Sequence, residues 1–264
     1  MIYCVSSSIA NFKQGLTRKY PHWSYWRWPS TEHAVFFGMY HIGDVARLLV
    51  HPGKKTVVWC GSDIRNMQNN QFLLGMVQGC NAIHICENKV EQQALEMLDV
   101  VADVKPQLFD VVQAEPIYEY PFGAVRKQFY ISAHEEREDE YGIRAFTNLA
   151  TRFPECDFHV YGILGYEDGN NLFFHGKVSH EDFVSEIKNY HCAVRLNKFD
   201  GFSEVLARSA ILGQYQISSI EYPHMWTAKD FTDLVVSVNV VSCATEPNYA
   251  GRDYWIKKLS ETLI

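Results

Sequence analysis

The sequence predicts an α/β protein built on parallel sheets covered by helices on both faces. From Gln128 to Ile217 one grammar recurs: a short apolar strand, a turn, then an amphipathic helix, each apolar run closed by Gly, Pro or polar residues. The first half repeats that alternation, and the 264 residues of the whole chain have room for two compact domains of about 125 residues each.

The elements follow in order. In the first half, strand-like IYCVSSS precedes IANFKQGLTRKY, and HAVFFGMY precedes IGDVARLLV. Then KTVVWC leads to IRNMQNNQFLLGMV, and AIHIC to NKVEQQALEMLDVV. Residues 113–124, QAEPIYEYPFGA, break the periodicity with two prolines and a glycine, which places the domain junction there. The second half runs through QFYISAH, YGIRAFTNLATRF, CDFHVYGILG and NLFFHG, and the alternation continues through residues 233–239. It closes on YAGRDYWIKKLSETLI, which has the pattern of an amphipathic helix. The reading is therefore two Rossmann-like domains, 1–118 and 119–264.

Composition narrows the function. Hydrophobic residues make up 47% and charged residues 21%, as in ordinary globular proteins. A formal net charge of −7 gives no long-range attraction for phosphate backbones, which argues against nucleic acid as a partner. The seven cysteines are odd in number, scattered and mostly set among apolar strand neighbours, which predicts reduced core thiols. Cys80, His84 and Cys86 lack the second ligand pair of a structural zinc site. With no basic segment before a long apolar core and no apolar run of membrane-spanning length, the expectation is a soluble cytoplasmic protein. Association of two chains is left open.

FFHGKVSHEDF followed by CAVRLNKFDGFSEVLARSAILG resembles, in order and spacing, the C-terminal domain of family-four GT-B glycosyltransferases. More weakly, the resemblance extends over most of the chain. It implies two Rossmann-like domains facing each other across a cleft, with the last helix crossing back to the N-terminal domain. The implied activity is transfer of a hexose from a nucleoside-diphosphate sugar (GDP-mannose or a UDP-hexose) to a glycan or other hydroxyl acceptor. Configuration would be retained, with no metal or other cofactor.

Such a transferase must hold a diphosphate and stabilise it as it leaves. Gly201, Phe202 and Ser203, read as opening a helix to Leu212, offer free amides for that anion. The resemblance puts a donor-sugar carboxylate at Asp200, which the residues alone also read as a helix cap or turn residue. At the family's second glutamate this chain has Arg208, which reads as a solvated helix face or an altered ribose contact. The family's basic pair becomes His134 and Tyr141; Arg137 is the nearest cation, but five of the six residues 135–140 are acidic. Lys177, Arg195 and Lys198 are read either as substitute cations or as ordinary surface charges, and in the resemblance Lys177, Val178 and Ser179 correspond to the base-reading segment.

In the first half KTVVWCGSDIR resembles the family segment whose histidine lies close to the reacting sugar, with Cys60 at that position. A cysteine lacks the paired donor and acceptor roles of a neutral imidazole. Asp63 and Arg65 are read at the cleft rim or in a strand-to-helix turn with Asp63 as a helix cap. His41 follows a strand and is placed either at the crevice, where open α/β sheets bind ligands, or in a structural role. Ser6, Ser7 and Ser8 end the first strand, where relatives carry a Gly-rich loop. Trp23, Trp26 and Trp28 are read as acceptor-stacking or packing aromatics. The competing reading is a nucleotide-sugar-binding protein of this fold without catalysis, supported by Cys60, by His134 with Tyr141, and by Arg208.

Overall fold

A computed structural model describes residues 1–112, 126–164, 169–261 and 263. The expected junction at 113–124, and with it the 118/119 boundary, lies outside the described residues. The described chain forms two compact units. The first comprises Met1–Val112 with Phe199–Phe202 and Leu263, the second residues 126–198 and 203–261.

In the first unit the elements are β1 (Ile2–Val5), α1 (Lys13–Lys19), β2 (Ser24–Tyr25), β3 (Ala34–Phe37), α2 (Ile42–Val50), β4 (Lys55–Val58), α3 (Ser62–Gln68), α4 (Gln71–Gln78), β5 (Ile83–Cys86), α5 (Lys89–Glu96) and β6 (Ala102–Val104). The sheet order is β2-β1-β3-β4-β5-β6 and every pairing is parallel. β1 and β3 are buried along their whole length. Helices cover both faces of a parallel sheet, so its strands are apolar throughout rather than alternating. Phe36, Val57, Trp59, Leu48 and Ile64 fill one side; Val35, Phe37, Val58 and Leu16 fill the other. Asn70 and Asn88 cap α4 and α5, their side chains accepting from Leu73 and Glu91 amides.

The second unit contains β7 (Gln128–Ser132), α6 (Glu138–Tyr141), α7 (Ile143–Arg152), β8 (Asp157–Tyr161), β9 (Leu172–Gly176), α8 (His180–Ile187), β10 (Cys192–Arg195), α9 (Glu204–Ile211), β11 (Tyr215–Ser218), β12 (Trp226–Thr227), α10 (Phe231–Ser242) and α11 (Tyr249–Ser260). Its six strands, again all parallel, run β12-β11-β10-β7-β8-β9. Counted from β7 this is the doubly wound order 3-2-1-4-5-6. Residues 233–239 lie inside α10, which buries Leu234, Val238 and Val241 on the sheet. In α7, Ile143, Phe146, Leu149 and Ala150 form the apolar face.

The seven thiols are free, but Cys243, at the end of α10, is exposed, which corrects its place among the core cysteines. Among the described residues no helix is long and apolar enough to cross a membrane.

Candidate functional site

Open α/β sheets place ligands at the carboxyl ends of their strands, where the strand order reverses. In the first unit that point lies between β1 and β3. Ser6, just past β1, is buried, and its hydroxyl donates to Asp44 Oδ2 at 2.7 Å. The same oxygen accepts from the amides of Tyr40 (3.2 Å) and His41 (3.1 Å), fastening the turn after β3 to the start of α2. His41 is the cap residue of α2, exposed, with Nε2 2.7 Å from the Ser8 hydroxyl. Ser7 is exposed beside it.

After β4, Cys60 turns into α3. Asp63 is fully buried rather than at a rim, which corrects that reading and leaves the strand-to-helix turn, with Gly61 and not Asp63 as its cap. The physical reason is its hydrogen bonding: Oδ1 accepts from the amides of Cys60 and Ile64 and Oδ2 from that of Met39, each at 3.0 Å. Burial raises its carboxyl to about 6 while these amides oppose the rise. The residue capping α3 is Gly61, at φ +89°. Burial, with Asp63 next, pushes the Cys60 thiol well above its usual range, so the sulfur is a neutral S–H. It donates to the Val58 carbonyl at 3.4 Å. Arg65 lies 4.8 Å over the Phe199 ring.

Past β5 come Glu87 and Asn88, both 2% exposed. The sequence reading singled out neither. The signal was a carboxylate directly after the apolar run IHIC, at a strand's carboxyl end. These two residues hold the loop Phe199–Phe202 within the first unit: Asn88 Nδ2 donates to the Asp200 carbonyl at 2.7 Å, and the Phe202 amide donates to Glu87 Oε2 at 3.0 Å. Asp200 Oδ1 accepts from the Gly201 amide at 3.1 Å. Helix α9 starts only at Glu204, with Ser203 as its cap residue, so Asp200 is not a helix cap. Glu91 Oε2 accepts from the Glu87 amide at 2.6 Å. Burial raises both glutamates well above the usual carboxylate range, and neighbouring carboxylates add to the rise.

In the second unit the strand order reverses between β7 and β10. Arg195 ends β10 there, with Nη1 donating to the Ser132 carbonyl at 3.2 Å and its guanidinium 4.3 Å over the Tyr141 ring. His134 is exposed, its Nδ1 accepting from the Glu136 amide. Arg137 bonds Glu140 through Nε at 3.0 Å, and Lys177 lies 3.4 Å from Glu135. Val178 is half-buried and Lys198 exposed. Arg208 is no solvated face: its side chain is 17% exposed, bonds Glu204 at 2.6 Å and approaches His180 at 3.4 Å. Of the tryptophans, Trp23 stacks on Tyr20 with ring centroids 4.1 Å apart, Trp26 donates to His51 Nδ1 at 3.3 Å, and Trp28 is exposed. Among the described residues no group of three or more His, Cys, Asp or Glu is arranged to hold a metal ion.

Two Rossmann-like α/β units in one chain, with polar loops at the carboxyl ends of both sheets, are the fold of the GT-B glycosyltransferases. In particular, the chain is similar to three solved structures. The lipopolysaccharide outer core galactosyltransferase WaaB, in its apo form, matches with a TM-score of 0.58 and 13% identity over 96% of this chain and 77% of that one. TarM matches with 0.57 and 13% over 86% and 52%, and the pneumococcal O-GlcNAc transferase GtfA, in complex with UDP and GlcNAc, with 0.56 and 12% over 87% and 54%. This chain thus spans about half the length of the last two. No family model matches it, and no curated protein matches it in sequence.

Proposed function

We propose that the protein is a glycosyltransferase that moves a hexose from a nucleoside-diphosphate sugar to a hydroxyl of a glycan or small acceptor. The observation that carries this reading is the fixed loop Asp200–Gly201–Phe202. Its main chain is held by Asn88 and Glu87, which sets the Asp200 carboxylate in one place at the carboxyl end of the first sheet. Asp200 would engage donor-sugar hydroxyls; the Gly201 and Phe202 amides, expected to hold the diphosphate, donate instead to Asp200 Oδ1 and Glu87 Oε2. That the structural neighbour GtfA was solved with UDP and GlcNAc favours a UDP-sugar, with GDP-mannose as the other donor to test. Retention of configuration, a requirement for no metal, and a cytoplasmic location complete the proposal. A protonated Cys60 cannot act as a base, so the departing phosphate would take the acceptor proton.

The test is calorimetric titration with UDP-glucose, UDP-galactose, GDP-mannose and the free diphosphates without added metal, followed by a transfer assay and NMR of the product anomer. Binding of one donor at micromolar to sub-millimolar Kd with turnover supports the reading; no binding across the panel defeats it. The second reading is a binding protein without catalysis. It is favoured by the neutral Cys60 thiol where the family resemblance puts a histidine, and it predicts donor binding without transfer.

A further inference from the structure

Two neighbouring helices of the first unit, α2 and α4, are apolar on both sides. Their inner residues, Val45 and Leu48 on one and Leu73, Leu74 and Val77 on the other, share one core, and the helices pack beside each other. A surface helix ordinarily turns a charged face to water. Here the outer positions carry Ile42 (63% exposed), Leu49 (41%) and Val50 (50%) from α2, and Phe72 (71%) from α4. Ile42, Ala46 and Leu49 recur at helical spacing and form one exposed stripe. Residues 66–86, which include all of α4, contain no Asp, Glu, Lys or Arg. The two charges of α2 are spent on each other: Asp44 is buried, and Arg47 donates to it at 3.2 Å.

The glycines of this face add a second observation. At Gly43 in α2 and Gly75 in α4 an added Cβ would meet nothing within 4 Å, and neither residue has a positive φ. Glycine weakens a helix relative to alanine, and nothing inside the chain calls for it at these two places. A second backbone lying close against the pair does.

Charge decides what that second body is. The chain carries a net −7, so two copies repel one another across most of their surfaces. In a two-fold contact the same patch meets itself, and any charge near the axis faces its own image. An uncharged apolar face is where two such chains can meet, whereas an anionic lipid surface calls for a cluster of basic residues and a charged partner for the opposite sign. We propose that the outer face of α2 and α4 is the interface of a homodimer, with Phe72 as its apolar anchor and Gly43 and Gly75 as the points of close backbone approach. The inference does not depend on the nucleotide-sugar reading.

The test is sedimentation equilibrium of the full chain over a concentration series. It is run beside Phe72→Lys, Gly75→Gln and a control, Val236→Lys, at an exposed apolar position of α10 in the second unit. The altered positions are exposed or open, so melting temperatures should hold. The wild-type protein should reach twice the 30.5 kDa of one chain. Phe72→Lys sets two ammonium groups into the closed contact and Gly75→Gln holds the helices apart, so each should raise the dimer Kd about a hundredfold or more, with Val236→Lys leaving it unchanged. A wild-type chain that stays monomeric to its solubility limit overturns the proposal. So does a dimer that neither face variant weakens, or that Val236→Lys weakens equally. Flotation of a monomeric wild-type chain with phosphatidylcholine vesicles, lost in Phe72→Lys, would make the face a lipid surface and overturn the dimer as well.

Discussion

Asp63 makes stability depend on pH in a way that can be worked out from its surroundings. Its carboxyl titrates at about 6 in the folded chain, against 3.8 for the unperturbed group, because complete burial outweighs three amide hydrogen bonds. Between those values the folded state holds a proton that the unfolded state has released, so stability falls as pH rises from about 4 to about 6. The displacement is about two units at about 1.4 kcal/mol each, so this group alone costs about 3 kcal/mol across the window. Below pH 4 it is protonated in both states and contributes no slope. Asp63→Asn cannot titrate, and its amide group faces the Met39 N–H donor to donor, a roughly constant penalty. The assay is urea unfolding of both proteins at pH 4, 5, 6 and 7, reading the difference in unfolding free energy at each. That difference should move by about 3 kcal/mol against the wild-type protein between pH 4 and pH 6 to 7. A difference that stays flat would refute the buried, ionising Asp63.

The remaining predictions concern the site and the cores. Asp200→Ala should lower transfer at least tenfold while shifting the melting temperature little; steady-state rates beside a thermal melt read both. Gly61→Ala should destabilise by about 1–3 kcal/mol, because Gly61 sits at φ +89° and an added Cβ would lie 2.8 Å from the Gly201 amide nitrogen; denaturant unfolding checks this. Phe146→Ala, at a fully buried ring 5.5 Å edge-on from Phe158, should cost about 3–5 kcal/mol in the same assay with the fold retained by circular dichroism.

The strands were legible because parallel sheets bury both faces and leave short apolar runs, such as residues 34–37 and 192–195, that punctuation separates cleanly. Helices with an apolar stripe, such as α7, could be read the same way. The site was legible by position along each strand but not by partner. Asp63 was read at a rim, from the family resemblance of KTVVWCGSDIR, or in a strand-to-helix turn; here three convergent amides hold it inside that turn, and no local pattern announces them. The segment Gly201–Ser203 was read as the opening turn of a helix. Residues 200–202 instead form a loop whose Phe202 amide and Asp200 carbonyl are bonded by Glu87 and Asn88, far away in sequence. Glu87 escaped notice for the same reason, since its meaning comes from the amide it meets.

Both sheets are parallel throughout, and that shapes how the chain must fold. No strand can zip onto its neighbour through a tight hairpin, so every pairing must wait for a crossover to close. The β7–β8 pair needs only the crossover through α6 and α7, whereas β7 meets β10 only after β8, β9 and α8 have also been laid down. The centre of the second sheet therefore joins strands far apart in the sequence. Until it closes, β7 offers an unpaired apolar edge to other chains, so recovery on refolding should depend on protein concentration more steeply than native stability would suggest.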